Sequence, residues 1–415
     1  MDQIIQSNNS STVYKTVTAK AVKNYGYSQG VATSNISKNI RRMVSDNTIS
    51  GSPHGQEVIW TLPSSEIARL SQIKVTPTFG AAPTAAMASR VGGLFFNNIR
   101  LVANNKTIAT LSDSYLLSRT YNETDEVKNA LVSRSYPRNP TSLACINAAD
   151  AGDTTGVFYV NIFSTFFEDT VCNLDLGFVE KIQIIAQVNS SAAMGLANDL
   201  TGLSCQLLLN TYMPDLKTYQ LLKAENFNPN GEKLTMYCYN TYKESQSQTA
   251  AGTSTTIRMQ LHNIYPDINT YFYVMATGTS LQAKTNQNMF EVISSFSLSF
   301  GGSSPIIDGL NCLEGSYETD IQRSSSNSVV AFSANAYPTT VSYAVSKPIC
   351  LAWGLDKDRV TCSGLLSFKN LPSPILEVTF VSTDAVTYNL VVVHEFAQLV
   401  AINPLDSSIS VTAAN

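Results

Sequence analysis

The sequence predicts an all-β fold built twice along one chain. Three observations carry this: a set of repeated segments, a low content of charge beside many hydroxyl and strand-forming residues, and short apolar runs set between long polar connections. The repeat is clearest at residues 92–121, GGLFFNNIRLVANNKTIATLSDSYLLSRTY, which is echoed at 287–317, QNMFEVISSFSLSFGGSSPIIDGLNCLEGSY. Both stretches open on an aromatic before an apolar run (Phe95, Phe96 and Ile99; Phe290 and Ile293). Both then alternate apolar with polar residues, reach a turn pair (Asn104-Asn105; Gly301-Gly302) and an isoleucine (Ile108; Ile306), and end on Tyr121 or Tyr317. The offset is roughly 195 residues, close to half the chain. Residues 59–75 lie over 258–274 without a gap, with Leu62 on Leu261 and Val75 on Val274, and 179–188 matches 374–381. Three matches in one order at nearly one offset imply a duplicated β domain.

Composition agrees. A chain of 415 residues can hold two domains, each with an ordinary core. Charged residues are 14%, a balance found where polar strand faces are covered by hydroxyls and amides. The net charge is -4, but its distribution is uneven: Lys15, Lys20, Lys23, Lys38, Arg41 and Arg42 face only Asp2 and Asp46 in the first fifty residues, so the remainder is acidic. No apolar run approaches the roughly 18 residues that span a bilayer, and MDQIIQSNNSS lacks the order of a signal peptide, so synthesis and folding in a cytosol are expected. The seven cysteines are scattered among apolar neighbours and read as reduced, mostly buried thiols, with no zinc-type C-x2-C cluster.

Taken in order, residues 1–55 are polar, rich in Ser and Asn, and read as an extended amino-terminal arm. The first β domain follows at 56–213, with strands expected at 57–62, 73–79, 94–102, 157–163, 179–188 and 204–212, and one or two helical turns within 112–133. In PDLKTYQLLKAENF, residues 214–227, Leu216, Tyr219, Leu221 and Leu222 fall at helical spacing behind a proline. The turn Asn228-Pro229-Asn230-Gly231 comes next, so 214–232 reads as a short linker helix and turn. The second domain, 233–405, repeats the order, with strands expected at 234–239, 256–261, 271–276, 290–300, 341–353, 365–368, 375–381 and 388–399. The last, YNLVVVHEFAQL, has the continuous apolar run of a strand covered on both faces. A polar carboxyl-terminal tail, 406–415, closes the chain.

Two consecutive eight-stranded sandwiches with long loops fit a pair of jelly rolls. The segment at 94–121, and the carboxyl-terminal run from Gly364 (GLLSFKNLPSPILEV) through Val391-Val392-Val393-His394, resemble the double jelly-roll major capsid proteins of tailless icosahedral viruses. That lineage includes adenovirus hexon, tailless membrane-containing phages and virophages. The resemblance covers about residues 55–405 and is one of pattern more than identity. It implies a coat subunit of the virion shell, made and assembled inside the host cell. Such a subunit forms a homotrimer, so that six similar rolls make a pseudo-hexameric capsomer that meets neighbouring capsomers and minor capsid or vertex proteins. No catalytic residue or cofactor is implied. The long connections at about 104–156 and 301–341 are expected to gather at one end as the outward surface. The basic arm, through Lys15, Lys20, Lys23, Lys38, Arg41 and Arg42, is expected on the inner face, near genome or an anionic viral membrane, or across a neighbouring subunit.

Residues that could carry chemistry are few. His54, His262 and His394 lie far apart, and His394 reads as a strand histidine with a satisfied hydrogen bond. There is no G-x-S-x-G turn. Glu168-Asp169 and Asp356-Lys357-Asp358 read as solvated loop charge, with a calcium ion at a subunit boundary as the other reading. Gly92-Gly93 and Gly301-Gly302 lack the spacing of a phosphate loop and read as turns. The aromatics Trp60, Phe158, Tyr159, Phe272 and Trp353 read as core. If they instead form a sugar-stacking platform, the chain is a glycan- or receptor-binding protein of lectin or fibre type. A β-sandwich polysaccharide-degrading enzyme is the second alternative.

Overall fold

A computed structural model describes residues 15–16, 36–63, 67–81, 91–122, 135, 137–139, 154–164, 174–175, 180–214, 234–250, 252–282, 289–301, 307–311, 348–353, 366–382, 385–403 and 408–413. The first roll is made of β2 (Ile36–Val44), β3 (Glu57–Thr61), β4 (Ile67–Phe79), β5 (Phe96–Ala103), β6 (Lys106–Ser112), β7 (Phe158–Asn161), β8 (Leu174–Asp175), β9 (Ile182–Val188) and β10 (Leu200–Pro214). The second is made of β11 (Leu234–Thr249), β12 (Ser254–Gln260), β13 (Pro266–Ala276), β14 (Ile293–Phe300), β15 (Ile307–Asn311), β16 (Ile349–Ala352), β17 (Leu366–Ser367), β18 (Pro374–Val381) and β19 (Thr387–Ile402).

Sheet order makes the duplication explicit. The first roll stacks β2-β10-β4-β7, with β8 beside β4, against β3-β9-β5-β6. The second stacks β11-β19-β13-β16, with β17 beside β13, against β12-β18-β14-β15. Each strand of one roll thus has a counterpart at the same sheet position in the other. The three matched sequence segments fall on β3–β4 with β12–β13, on β5–β6 with β14–β15, and on β9 with β18. Among the described residues the pairings between these strands are all antiparallel, as hairpin and Greek-key connections require.

Alternation in the sequence sets the faces. IQIIAQV in β9 and STTIRMQ in β12 bury every second residue, the pattern of a sheet with one covered face. In the first roll Trp60, Phe95 and Phe158 are fully buried, with Phe95 and Phe158 edge to face at 5.2 Å. The second roll packs Phe272 on Phe296 at 5.1 Å and Phe380 on Tyr388 at 5.0 Å. Asn104 (φ 46°) and Asn105 (φ 65°) are both left-handed, the backbone a two-residue hairpin demands, and Gly301 (φ 50°), which follows the counterpart strand β14, is left-handed too.

Several sequence expectations need correcting. The arm does not run to residue 55, because Ile36–Val44 pairs with β10 over nine residues as the first strand of the first roll. The polar tail contributes a strand too, β20 (Ile409–Ala413), laid on the end of β19. Gly92 and Gly93 lie in a helical turn at 91–94, and not in a β turn. The 112–133 stretch yields a helix, α1 (Asp113–Asn122), whose first turn is capped by the Ser112 hydroxyl accepting from Tyr115 N–H at 3.2 Å. The linker helix expected after residue 214 lies outside the described residues.

Candidate assembly surfaces

The two rolls meet along a seam that buries one outer face of the second roll. On β13, Phe272 and Val274 point into the second roll, while Tyr271 and Tyr273 point out and join the core of the first; Val391 and Val393 of β19 do the same. This explains why β19 is covered on both faces. Helix α1 fills the seam: Tyr115 meets Tyr271 edge to face at 6.1 Å, and Tyr121 meets Phe290 at 5.1 Å. The polar groups around Glu395 are paired. Tyr115 O–H donates to Glu395 Oε1 (2.8 Å), while Asn269 Nδ2 (2.5 Å) and Tyr271 O–H (3.2 Å) donate to Glu395 Oε2. At the rim, Lys243 Nζ donates to Asp113 Oδ1 at 2.8 Å.

At one edge of the seam β6 lies along β11 without forming a sheet with it. Side chains of β11 replace the missing strand. Thr110 N–H donates to Asn240 Oδ1 (2.9 Å), Thr241 Oγ1 donates to Thr110 O (2.8 Å), Ser112 N–H donates to Thr241 Oγ1 (3.1 Å), and Cys238 Sγ donates to Ile108 O (3.3 Å). The open edge of β6 is thereby closed, which removes a site for unwanted strand addition.

A buried ionic cluster sits on the inward face of the second roll's large sheet. His394, with 0% exposure, donates from Nδ1 to Asp267 Oδ2 at 2.5 Å. Its Nε2 is 3.3 Å from Glu244 Oε1, off the N–H direction for a hydrogen bond but within ion-pair range. Glu244 also accepts the backbone N–H of His262 at 2.8 Å and contacts His262 Nδ1 at 3.0 Å; Thr270 Oγ1 donates to Asp267 at 2.8 Å. Burial alone would lower the His394 imidazole, but Asp267 and then Glu244 outweigh it and raise it to about 9. Burial holds the Asp267 carboxyl above the usual range despite the facing imidazolium. For Glu244 burial acts upward too, yet His394 and His262 outweigh it and leave its carboxyl lowered. Asp267, Glu244 and His394 thus form an ionic clamp across β11, β13 and β19, and among the described residues no hydroxyl or thiol bonds the His394 ring.

His54 is also fully engaged: Leu200 N–H donates to Nε2 at 3.1 Å, so Nδ1 carries the proton and donates to Asn189 O at 2.7 Å. No cluster of His, Cys, Asp and Glu suited to a metal occurs among the described residues, and no helix there is long and apolar enough to cross a membrane. Glu168-Asp169 and Asp356-Lys357-Asp358 lie outside the described residues.

The basic residues of the arm separate into two groups. Lys38, Arg41 and Arg42 stand on β2, opposite Tyr212, Leu209 and Leu208 of β10, and the side chains of Arg41 and Arg42 are exposed. Lys15 is in β1 (Lys15–Thr16), which pairs in parallel with Leu234 and Thr235 at the start of β11 in the other roll. Lys20 and Lys23 lie outside the described residues.

Solved structures share this whole arrangement. PBCV-1 VP54 superposes with a TM-score of 0.61 at 12% identity, covering 94% of this chain and 100% of that one. A chain of the Sputnik virophage gives 0.58 at 14% identity over 93% and 90%, and the mavirus major capsid protein 0.55 at 13% over 90% and 90%. This chain has the double jelly-roll fold of viral major capsid proteins. No family model and no curated protein matches the sequence. The fold is thus shared at identities of 12 to 14%.

Sequence reasoning missed the ionic clamp and strand β2. Glu244, Asp267 and His394 come from three strands separated by long connections, and only their shared buried sheet brings them together. For β2, the available signal was its counterpart β11, the first strand of the second domain, which required a matching strand before residue 55.

Proposed function

We propose that the chain is a viral major capsid protein that acts as a homotrimer, three copies presenting six rolls as a pseudo-hexameric capsomer that tiles an icosahedral shell. The observation that carries this reading is the duplicated roll, matched over nearly the full length of several coat proteins. A chain with two similar rolls joined by a largely apolar seam is one unit, and three such units supply the six similar faces a hexagonal tile needs. The role is read as structural and not catalytic, in keeping with His394 and Asp267 being fully buried. The protein then resides in the virion shell, assembled in the host cell, with neighbouring capsomers and minor capsid or vertex proteins as partners. Within this reading Lys15, Lys20 and Lys23 serve the inner face, towards genome or an anionic membrane, while Lys38, Arg41 and Arg42 stay with the edge of the first roll.

Light scattering on the purified chain, with electron microscopy of concentrated samples, tests the proposal. Trimers and regular shells are expected; a stable monomer at assembly concentrations overturns it. Deletion of residues 1–35, which spares β2, is expected to leave trimers and to prevent regular shells, as is neutralisation of Lys15, Lys20 and Lys23 in a salt-dependent way. Normal shells from the deleted chain overturn the inner-face role of the arm and leave the coat reading standing.

A further inference from the structure

The contact between the rolls within one chain is heterologous: the outer edge of β6 meets the outer edge of β11. Each partner has a counterpart with an open edge. β15, the counterpart of β6, ends the small sheet of the second roll, and β2, the counterpart of β11, ends the large sheet of the first. Among the described residues neither outer edge carries another strand. We propose that the β15 edge of one copy seats on the β2 edge of the next, repeating the β6–β11 contact between subunits and closing the ring. This rests on the capsomer reading above and names the surfaces that make the capsomer.

Register supports it. Val75 and its counterpart Val274 pair with Cys205 of β10 and Leu390 of β19. Counting from there along the pairings of β10 with β2 and of β19 with β11 sets Asn39 in the place of Asn240, Ile40 in that of Thr241, and Arg42 in that of Lys243. Asn240 is the residue whose side chain closes Thr110 N–H within the chain, and β2 has an asparagine at the same station. On the other edge Asn311 takes the place of Ser112, since both pair with the matched strands β14 and β5 at Ser295 and Asn98. The second observation is exposure. Ile40 is 69% and Val44 70% exposed, the most exposed large apolar side chains among the described residues, and both stand on β2. Apolar residues on an open edge strand invite strand addition unless an assembly covers them.

The face beside this edge has the chemistry of a surface that is covered only on assembly. Where β13 and β19 turn Tyr271, Tyr273 and Val391 into the seam, β4 and β10 present Gln72, Lys74 and Gln206, all half-buried. Polar groups there keep the unassembled chain soluble and still offer hydrogen bonds to a partner.

Thiol cross-linking with a short bismaleimide tests the assignment. Chains carrying Ile40→Cys are mixed and co-assembled with tagged chains carrying Asn311→Cys, and the parent chain sets the background from native thiols. A covalent dimer containing one chain of each kind is expected, while Ser112→Cys with Thr241→Cys in a single chain links within that chain as a geometric control. Trimers that form without the mixed dimer overturn the edge assignment alone. So does a doubly substituted Ile40→Cys/Asn311→Cys chain that links only within itself. Absence of trimers at any concentration overturns the coat reading and this assignment together. As an independent variant, Ile40→Asp is expected to keep the melting temperature of the monomer while shifting the mass from trimer to monomer; a trimer that survives Ile40→Asp also overturns the assignment.

Discussion

Alkaline pH should loosen the second roll, and the size of the effect follows from the His394 clamp. Its imidazole is ordinary at 6.5 in the unfolded chain and is raised to about 9 in the fold. A group raised on folding contributes its full stabilisation below the unfolded value and loses it as the pH rises through the folded value. The window is therefore about 6.5 to 9, and the shift corresponds to about 3 kcal/mol at roughly 1.4 kcal/mol for each pKa unit. For a roll of this size that is a fall in melting temperature of about 6 to 12 °C. The acid side is less simple, because Glu244, lowered on folding, loses stabilisation as the pH falls, whereas the raised Asp267 carboxyl is relieved of a penalty. Calorimetric melts between pH 6 and 9.5 at constant ionic strength measure the alkaline limb. The variant Asp267→Asn removes the larger source of the His394 shift and should flatten it, while general titration of tyrosines and lysines affects both proteins alike. A wild-type melting temperature that is level across the window, or an equal slope in Asp267→Asn, would refute the reasoning.

Two further perturbations probe the seam and the repeated hairpin. Tyr115→Phe removes the hydroxyl that donates to the buried Glu395, and should cost about 1 to 3 kcal/mol in denaturant unfolding; no loss would mean that water reaches the carboxylate. Gly301→Ala places a Cβ 2.7 Å from Pro372 Cγ on a backbone with φ 50°, and should cost at least about 1 kcal/mol, whereas Asn105→Gly at the equivalent turn should change stability by less than about 0.5 kcal/mol.

What could be read from the sequence was whatever one covered sheet face imposes. β9, β12 and β18 alternate cleanly because one side packs and the other is wet, so their residues declare themselves and their repeat could be aligned. β19 declared its double burial through VVVHEFA, although the cause, helix α1 and the first roll lying across it, was not in the strand itself. Edge strands were hidden. ISKNIRRMV in β2 carries three basic residues and its apolar ones fall irregularly, since neither face of that edge is fully covered within the chain. The same reason shortened β11: residues 245–249, SQSQT, are exposed, so the expected strand stopped at 239 while the real one continues to Thr249. The clamp was illegible for another reason, because a buried histidine is defined by its partners and these are 127 and 150 residues away in sequence.

The divergence between the two rolls has a physical logic of its own. One backbone plan gives both large sheets the same outer face, yet the second roll fills that face with Tyr271, Tyr273, Val391 and Val393, and the first with Gln72, Lys74, Gln206 and Leu208. Folding covers the first set as part of one chain, so apolar character there costs nothing in solubility and fixes the two rolls as a unit. The second set is half-buried in the folded chain, and in the proposed assembly it would have to be tolerable in water beforehand and complementary afterwards. The β11 edge, closed by β6 of its own chain, is no longer available to a neighbour, whereas the β2 edge is. A chain with two identical rolls would have to choose between two equal edges, and wrong choices build open chains of subunits. With one edge occupied at folding and its face made apolar, the β2 and β15 edges are the ones left open among the described residues. In the proposed capsomer, the unequal outer faces of the two rolls would thus give assembly a direction as well as a repeating tile.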